Sequence, residues 1–107
     1  MLFRSLMLAG SVLLALNHTN DAISYFDRAV VAQPRNVDAL YNRAVAFGHA
    51  ERWTQALADY DRVLAAQSNS WEAWFNRANT LVNLARIDDA ITSYDRAVHL
   101  QIGRAHV

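Results

Sequence analysis

Residues 22–29 read Ala-Ile-Ser-Tyr-Phe-Asp-Arg-Ala, residues 56–63 read Ala-Leu-Ala-Asp-Tyr-Asp-Arg-Val, and residues 90–97 read Ala-Ile-Thr-Ser-Tyr-Asp-Arg-Ala. Each stretch begins 34 residues after the one before, and the columns align without a gap. Working outward, Gln33, Gln67 and Gln101 fall in one further column, and Gly10, Ala44 and Ala78 in another. Self-similarity at this period marks one supersecondary unit stacked on copies of itself, each burying its faces against its neighbours.

Within the unit the apolar spacing is helical. Ala39, Leu40, Arg43, Ala44 and Phe47 recur every three or four residues, as do Ala56, Leu57, Tyr60, Val63 and Leu64. The turns between the two patterns are Asn17-His18-Thr19, Glu51-Arg52-Trp53 and Ala85-Arg86-Ile87. Asn20, Thr54 and Asp88 stand where the second helix of each pair would be capped, and Asn36 and Ser70 where first helices would be. Pro34 requires the first pair to have ended before it. These signals predict helices over 4–16, 20–32, 37–50, 54–66, 71–84 and 88–100. Small residues at Gly10, Ala44, Ala78, Ala22, Ala56 and Ala90 let paired backbones approach, with Phe26, Tyr60 and Tyr94 filling the space alongside.

These columns resemble the tetratricopeptide repeat family, over essentially the whole chain. The resemblance implies an all-α, right-handed superhelical solenoid of three antiparallel helix pairs. Its repeats would span 3–36, 37–70 and 71–101. It departs from the family where Ser68 and Ile102 replace the proline, and where Asn17, Glu51 and Ala85 replace the usual turn glycine. Left-handed backbone at those turns would carry some strain.

Composition narrows the function classes. Ten basic and ten acidic residues leave no net charge, and no basic stripe of the kind nucleic-acid binding requires is visible. Without cysteine there is no disulfide, thiolate metal site or cysteine nucleophile. All ten cations are Arg, which reads as the codon usage of a GC-rich bacterial genome. The apolar start, 1–16, superficially resembles a secretory signal. It lacks a small-x-small cleavage site and is too short to span a bilayer, so it reads as a repeat helix of a cytoplasmic protein. A periplasmic protein is the alternative.

No catalytic constellation, cofactor motif or metal set appears. His18, His49 and His99 occupy three different columns, and no glycine-rich phosphate loop exists. The family resemblance instead implies a partner groove lined by first helices. By column it would show Arg4, Met7, Leu8 and Ser11, then Asp38, Tyr41, Asn42, Val45 and His49, then Glu72, Phe75, Asn76, Asn79 and Asn83. Asn42 and Asn76, one repeat apart, can each donate to and accept from a peptide backbone. Equally, both can simply be solvated. The carboxylate clamp of chaperone-tail-binding members maps to Met7, Ser11, Asn42, Glu72 and Asn76, where only Asn42 fits and Glu72 would repel an acidic tail.

Arg43 and Arg77 replace an apolar family residue. They are expected to reach carboxylates of the preceding helix, Asp27 for Arg43 and Asp59 or Asp61 for Arg77. Asp61 and Arg62 read as a solvated outer face, and Trp53, Trp71 and Trp74 as covers over inter-repeat seams. The leading functional expectation is a protein–protein interaction module that binds a peptide or partner helix without catalysis. The alternative is the substrate-docking portion of a larger bacterial enzyme, such as a glycosyltransferase. A third is self-association through uncapped ends. Residues 102–107 break the period and match one reading frame of a DNA-sequencing adapter, so they are expected to be a non-native tail that frays from the last helix.

Overall fold

The computed structural model describes residues 2–105. Its elements are α1 (Phe3–Ala15), α2 (Thr19–Ala32), α3 (Val37–His49), α4 (Trp53–Ala66), α5 (Trp71–Asn83) and α6 (Ile87–Ala105), with no strand among the described residues. The tightest neighbours are α1 with α2, α3 with α4 and α5 with α6, while α2 against α3 and α4 against α5 join one pair to the next. Direct contact also links α1 to α3 and α3 to α5, but among the described residues nothing equivalent links α2 to α4 or α4 to α6. The first helices therefore crowd together along the inside of a curve, and the second helices splay along its outside.

The turn inside each pair is the same structure three times. Asn17, Glu51 and Ala85 have φ of 63°, 59° and 60°. The amide after each reaches back to the helix, from His18 to the Leu13 carbonyl at 2.8 Å, Arg52 to Phe47 at 2.8 Å and Arg86 to Leu81 at 2.9 Å. The left-handed residue's own amide bonds Leu14, Gly48 and Val82, each at 3.0 Å. This is a Schellman stop, which satisfies the last carbonyls of the first helix. It also corrects one expectation. The chain leaves this turn already aimed into the next helix, so α2 and α4 are capped by His18 and Arg52 without a side-chain bond, and α6 begins at Ile87. Asn20, Thr54 and Asp88 are second residues of their helices, not N-caps. Asn36 and Ser70 do cap, accepting from the amides of Ala39 at 3.1 Å and Ala73 at 3.3 Å.

Small residues sit where helices cross. Ala22, Ala44, Ala56, Ala78 and Ala90 are buried, as are Phe26 and Tyr60, while Tyr94 near the open end is half-buried. At Gly10 the approach is closest, since a Cβ there would lie 2.6 Å from Cε1 of Phe26. Ile23, Phe26, Leu40, Ala44, Phe47, Tyr60, Leu64 and Ala73 belong to one apolar cluster running through the first two pairs into the third. Leu57, Leu81 and Ala90 form another across the second seam.

Polar staples cross the same seams. The Arg43 guanidinium bonds Asp27 on α2 at 3.1 Å and, on α4, both oxygens of Asp59 at 2.7 and 2.9 Å. One period later Arg77 bonds Asp61 at 2.8 Å and the Ser93 hydroxyl at 2.7 Å. Each arginine thus ties together the second helix behind it, its own helix and the second helix of its own pair. Arg62 is a further correction: it donates to the buried Asp59 at 2.7 Å and does not merely face water. Trp74 covers a seam as expected, packing on the central cluster while its indole N–H donates to the Ser68 carbonyl at 2.9 Å.

The last helix is longer than its sequence pattern suggests. α2 and α4 stop at Ala32 and Ala66, but α6 runs on through Ala105, so 102–105 continue the last helix. Ile102 replaces the proline that follows α2, and Gly103 alone costs only about 1 kcal/mol relative to Ala, too little to end a helix. His106 and Val107 lie outside the described residues.

Candidate partner-binding groove

The inner face is built from one side of α1, α3 and α5. A cleft of about 410 Å³ opens between the first two pairs, lined by Ser11, Leu14, Phe26, Asn42, Val45 and His49 among others. A second, of about 250 Å³, is lined by Val45, Gly48, His49, Trp53, Tyr60, Asn76, Asn79 and Thr80. The two have Val45 and His49 of α3 in common. Asp38, Tyr41 and Glu72 line a third cleft towards the N-terminal ends of α3 and α5, together with Gln67, which caps the end of α4.

Of the residues read from sequence as groove-lining, Tyr41, Asn42, Val45 and Asn76 are half-buried, and His49, Phe75, Asn79 and Asn83 are exposed. The asparagines are not equivalent. Asn76 donates its amide to the Tyr41 hydroxyl at 2.7 Å, and the Asn79 amide oxygen accepts from Tyr94. Asn83 donates to the Asn79 carbonyl at 2.9 Å. Asn42 opens into the larger cleft. The period did not disclose the Tyr41–Asn76 link, because the pair is separated by one period plus one residue and Asn42 has only Met7 and Leu8 behind it.

Tyrosines stiffen the floor. Tyr41 and Tyr60 meet edge to face with centroids 5.9 Å apart, and Phe75 leans on Tyr94 at 5.8 Å. Burial raises the Tyr41 pKa, the Glu72 carboxylate adds to the rise, and the bond from Asn76 partly opposes it. Burial raises Tyr60 further, so both phenols stay neutral at physiological pH.

The three described histidines lie apart from one another. His18 lies in a turn 4.0 Å from Asp21, His49 ends α3, and His99 on α6 contacts the Asp95 carbonyl at 2.7 Å. Among the described residues no group of three metal-ligating side chains converges, and no helix is long and apolar enough to cross a membrane.

An inward-curving row of paired helices defines a helical solenoid. The chain belongs to the tetratricopeptide repeat family, whose model matches residues 7–66 and again 46–105. A search of curated proteins gives no significant match. The fold is shared with the crystal structure of MamA at a TM-score of 0.92 and 15% identity, over 98% of this chain and 61% of that one. It is shared with the first TPR of Spaghetti (RPAP3), bound to the HSP90 peptide SRMEEVD, at 0.87 and 21%, over 92% and 78%. The Sgt2 TPR domain from Aspergillus fumigatus superposes at 0.86 and 20%, over 92% and 66%. The architecture is accordingly an all-α, right-handed superhelical solenoid, its six helices accounting for about three repeats.

Proposed function

We propose that this chain is a protein-interaction module that holds an extended peptide or a partner helix along its inner face and performs no chemistry of its own. The observation that carries this reading is that Val45 and His49 line both inner-face clefts, with Asn42 in one and Asn76 in the other. Repeats over 3–36, 37–70 and 71–101 present these positions at one-repeat spacing. Asn42 offers both donor and acceptor to a peptide backbone, and Asn76, held through its amide nitrogen by Tyr41, offers its oxygen.

Charge sets the kind of peptide. Spaghetti binds the acidic SRMEEVD, whereas here Asp38 and Glu72 line the cleft towards the N-terminal ends of α3 and α5 with no cation among that cleft's lining residues. A neutral or basic peptide suits it, and an acidic C-terminal tail does not. Peptides selected from a random library supply the ligand for the test. Asn42→Ala with Asn76→Ala should weaken their binding at least about tenfold while leaving helicity intact. Unchanged binding in that double variant contradicts a groove mechanism.

A second reading, the docking portion of a larger enzyme such as a bacterial glycosyltransferase, draws on the Asn-Arg-Ala and Ser-Tyr-Asp-Arg-Ala-Val phrasing at 76–78 and 93–98. A nucleotide-sugar-binding domain encoded in the same gene would favour it.

A further inference from the structure

The second helices splay along the outside of the curve, and a cleft of about 290 Å³ opens there between α2 and α4. It shares no lining residue with the inner-face clefts. Three guanidinia, of Arg43, Arg52 and Arg62, line it beside two carboxylates, of Asp27 and Asp59, so the lining carries one positive charge in excess.

The fold engages these cations unequally. Arg43 bonds both aspartates, and Arg62 donates to Asp59 through one amino group. Arg52 has no such partner. It lies over the Phe47 ring, 5.2 Å from the centroid, and its Nε donates to the neutral Gln55 at 2.7 Å. Among the described residues it meets no carboxylate.

The other two units trace this to one column. His18 and Arg86 hold the place of Arg52, and Asp21 and Asp89 hold that of Gln55. His18 lies 4.0 Å from Asp21, and Arg86 bonds Asp89 at 2.8 and 3.0 Å. The first turn of α4 accordingly has no acidic residue, while those of α2 and α6 do. The positive end of the α4 dipole therefore adds to the charge of Arg52.

From this uncompensated cation at a formed cleft, we propose a second binding site, on the outer side of the second pair, that takes one carboxylate group. A carboxylate is planar and presents two oxygens to the paired N–H groups of a guanidinium. One such monoanion cancels the excess charge of the lining, whereas a phosphate dianion overshoots it. Arg52 and Arg62, the latter 58% exposed, supply the charged donors. Gln55 accepts from Arg52 through its oxygen, which leaves its amide NH2 to donate as well. The volume lies at the low end for ligand sites, which suits an acidic side chain or a small free acid. The site does not depend on the inner groove having a ligand.

NMR of the labelled full chain tests this, with sodium propionate titrated in at constant ionic strength against sodium chloride. The expected result is a saturable shift of the Arg52 and Arg62 Nε–H and Gln55 side-chain amide signals that chloride does not produce. Arg52→Gln should weaken binding at least about tenfold. Gln55→Asp should do the same with every arginine in place, because it recreates the Asp89 arrangement and satisfies Arg52 from within. Both positions are exposed, and circular dichroism reports whether each variant remains folded. The peptide acetyl-Ala-Ala-Glu-Ala-Ala-amide separates the sources of the group. Tighter binding than propionate at the same three residues supports the site and assigns it to an acidic side chain of a partner protein. Propionate binding that the peptide does not exceed supports the site and assigns it to a small free acid. If neither probe shifts these signals beyond chloride, or if either variant leaves the shifts unchanged, the proposal is overturned.

Discussion

Arg43 grips Asp59 with two parallel hydrogen bonds, Nε to Oδ2 at 2.7 Å and Nη2 to Oδ1 at 2.9 Å. Asp59 is 1% exposed, so its charge has left water almost completely and depends on the arginine for compensation. Bonding to Asp59 is also the main reason the Arg43 pKa is raised, which keeps the guanidinium charged across the accessible pH range. The same arginine reaches Asp27, so one side chain spans three helices and both sides of a seam.

Removing one member of this pair should therefore cost far more than removing both. Arg43→Met strands a buried carboxylate with Arg62 alone, a loss of about 3 kcal/mol. Arg43→Met combined with Asp59→Leu should restore most of it. Urea denaturation of both variants checks the relation, and a single variant that loses less than about 1 kcal/mol contradicts it.

The left-handed turns predict a gain in stability. A Cβ at positive φ costs about 1–2 kcal/mol, partly offset by the ~0.4–1 kcal/mol of extra unfolded-chain freedom a glycine brings. Ala85→Gly and Glu51→Gly should each raise the melting temperature, with a net gain up to about 1 kcal/mol. Asn17→Gly should do less, since asparagine tolerates this conformation better. A fall in melting temperature for Ala85→Gly runs against this account of the turn.

Most of the architecture was legible before the structure, because the columns that bury are the columns that repeat. Ala22, Ala56 and Ala90 announce themselves by recurring. Asp59 does not, since its column reads Tyr25, Asp59 and Ser93, and its burial depends on Arg43 from another helix. Asn20, Thr54 and Asp88 do not cap their helices for a related reason. Propensity identified good capping residues, but the Schellman bond of the preceding turn starts the helix before they are reached. In the groove, the row of asparagines could be read, but the hydrogen bonds that distinguish Asn42 from Asn76 and Asn79 could not.

Close packing at the first pair supplies a steric prediction. Gly10→Ala brings its Cβ within 2.6–2.8 Å of three Phe26 ring atoms, for an overpacking cost of about 1–3 kcal/mol. Phe26→Leu in the same chain should be less harmful than it is alone, because it vacates the space the new methyl needs. Calorimetry of the two single variants and the double variant measures that coupling, and strict additivity would remove the assignment.

Tyr60 gives the fold an alkaline limit. Its phenol ionises near pH 10 in the unfolded chain but at higher pH when folded, so between these values the unfolded state binds fewer protons. Stability should fall as pH rises above about 10, by up to ~1.4 kcal/mol per pH unit for this tyrosine. Tyr60→Phe should flatten that decline, and a decline equally steep in the variant would assign it elsewhere.

The central claim, that the inner face of α1, α3 and α5 takes the partner, is most directly tested by backbone and side-chain NMR shifts as a library-selected peptide is titrated into the labelled chain. The account predicts perturbations at Asn42, Val45, His49, Asn76 and Asn79, with the Asn42 and Asn76 side-chain amides among the largest. Perturbations confined to the outer helices, around Asp61, Ala65 and Asp95, would contradict it.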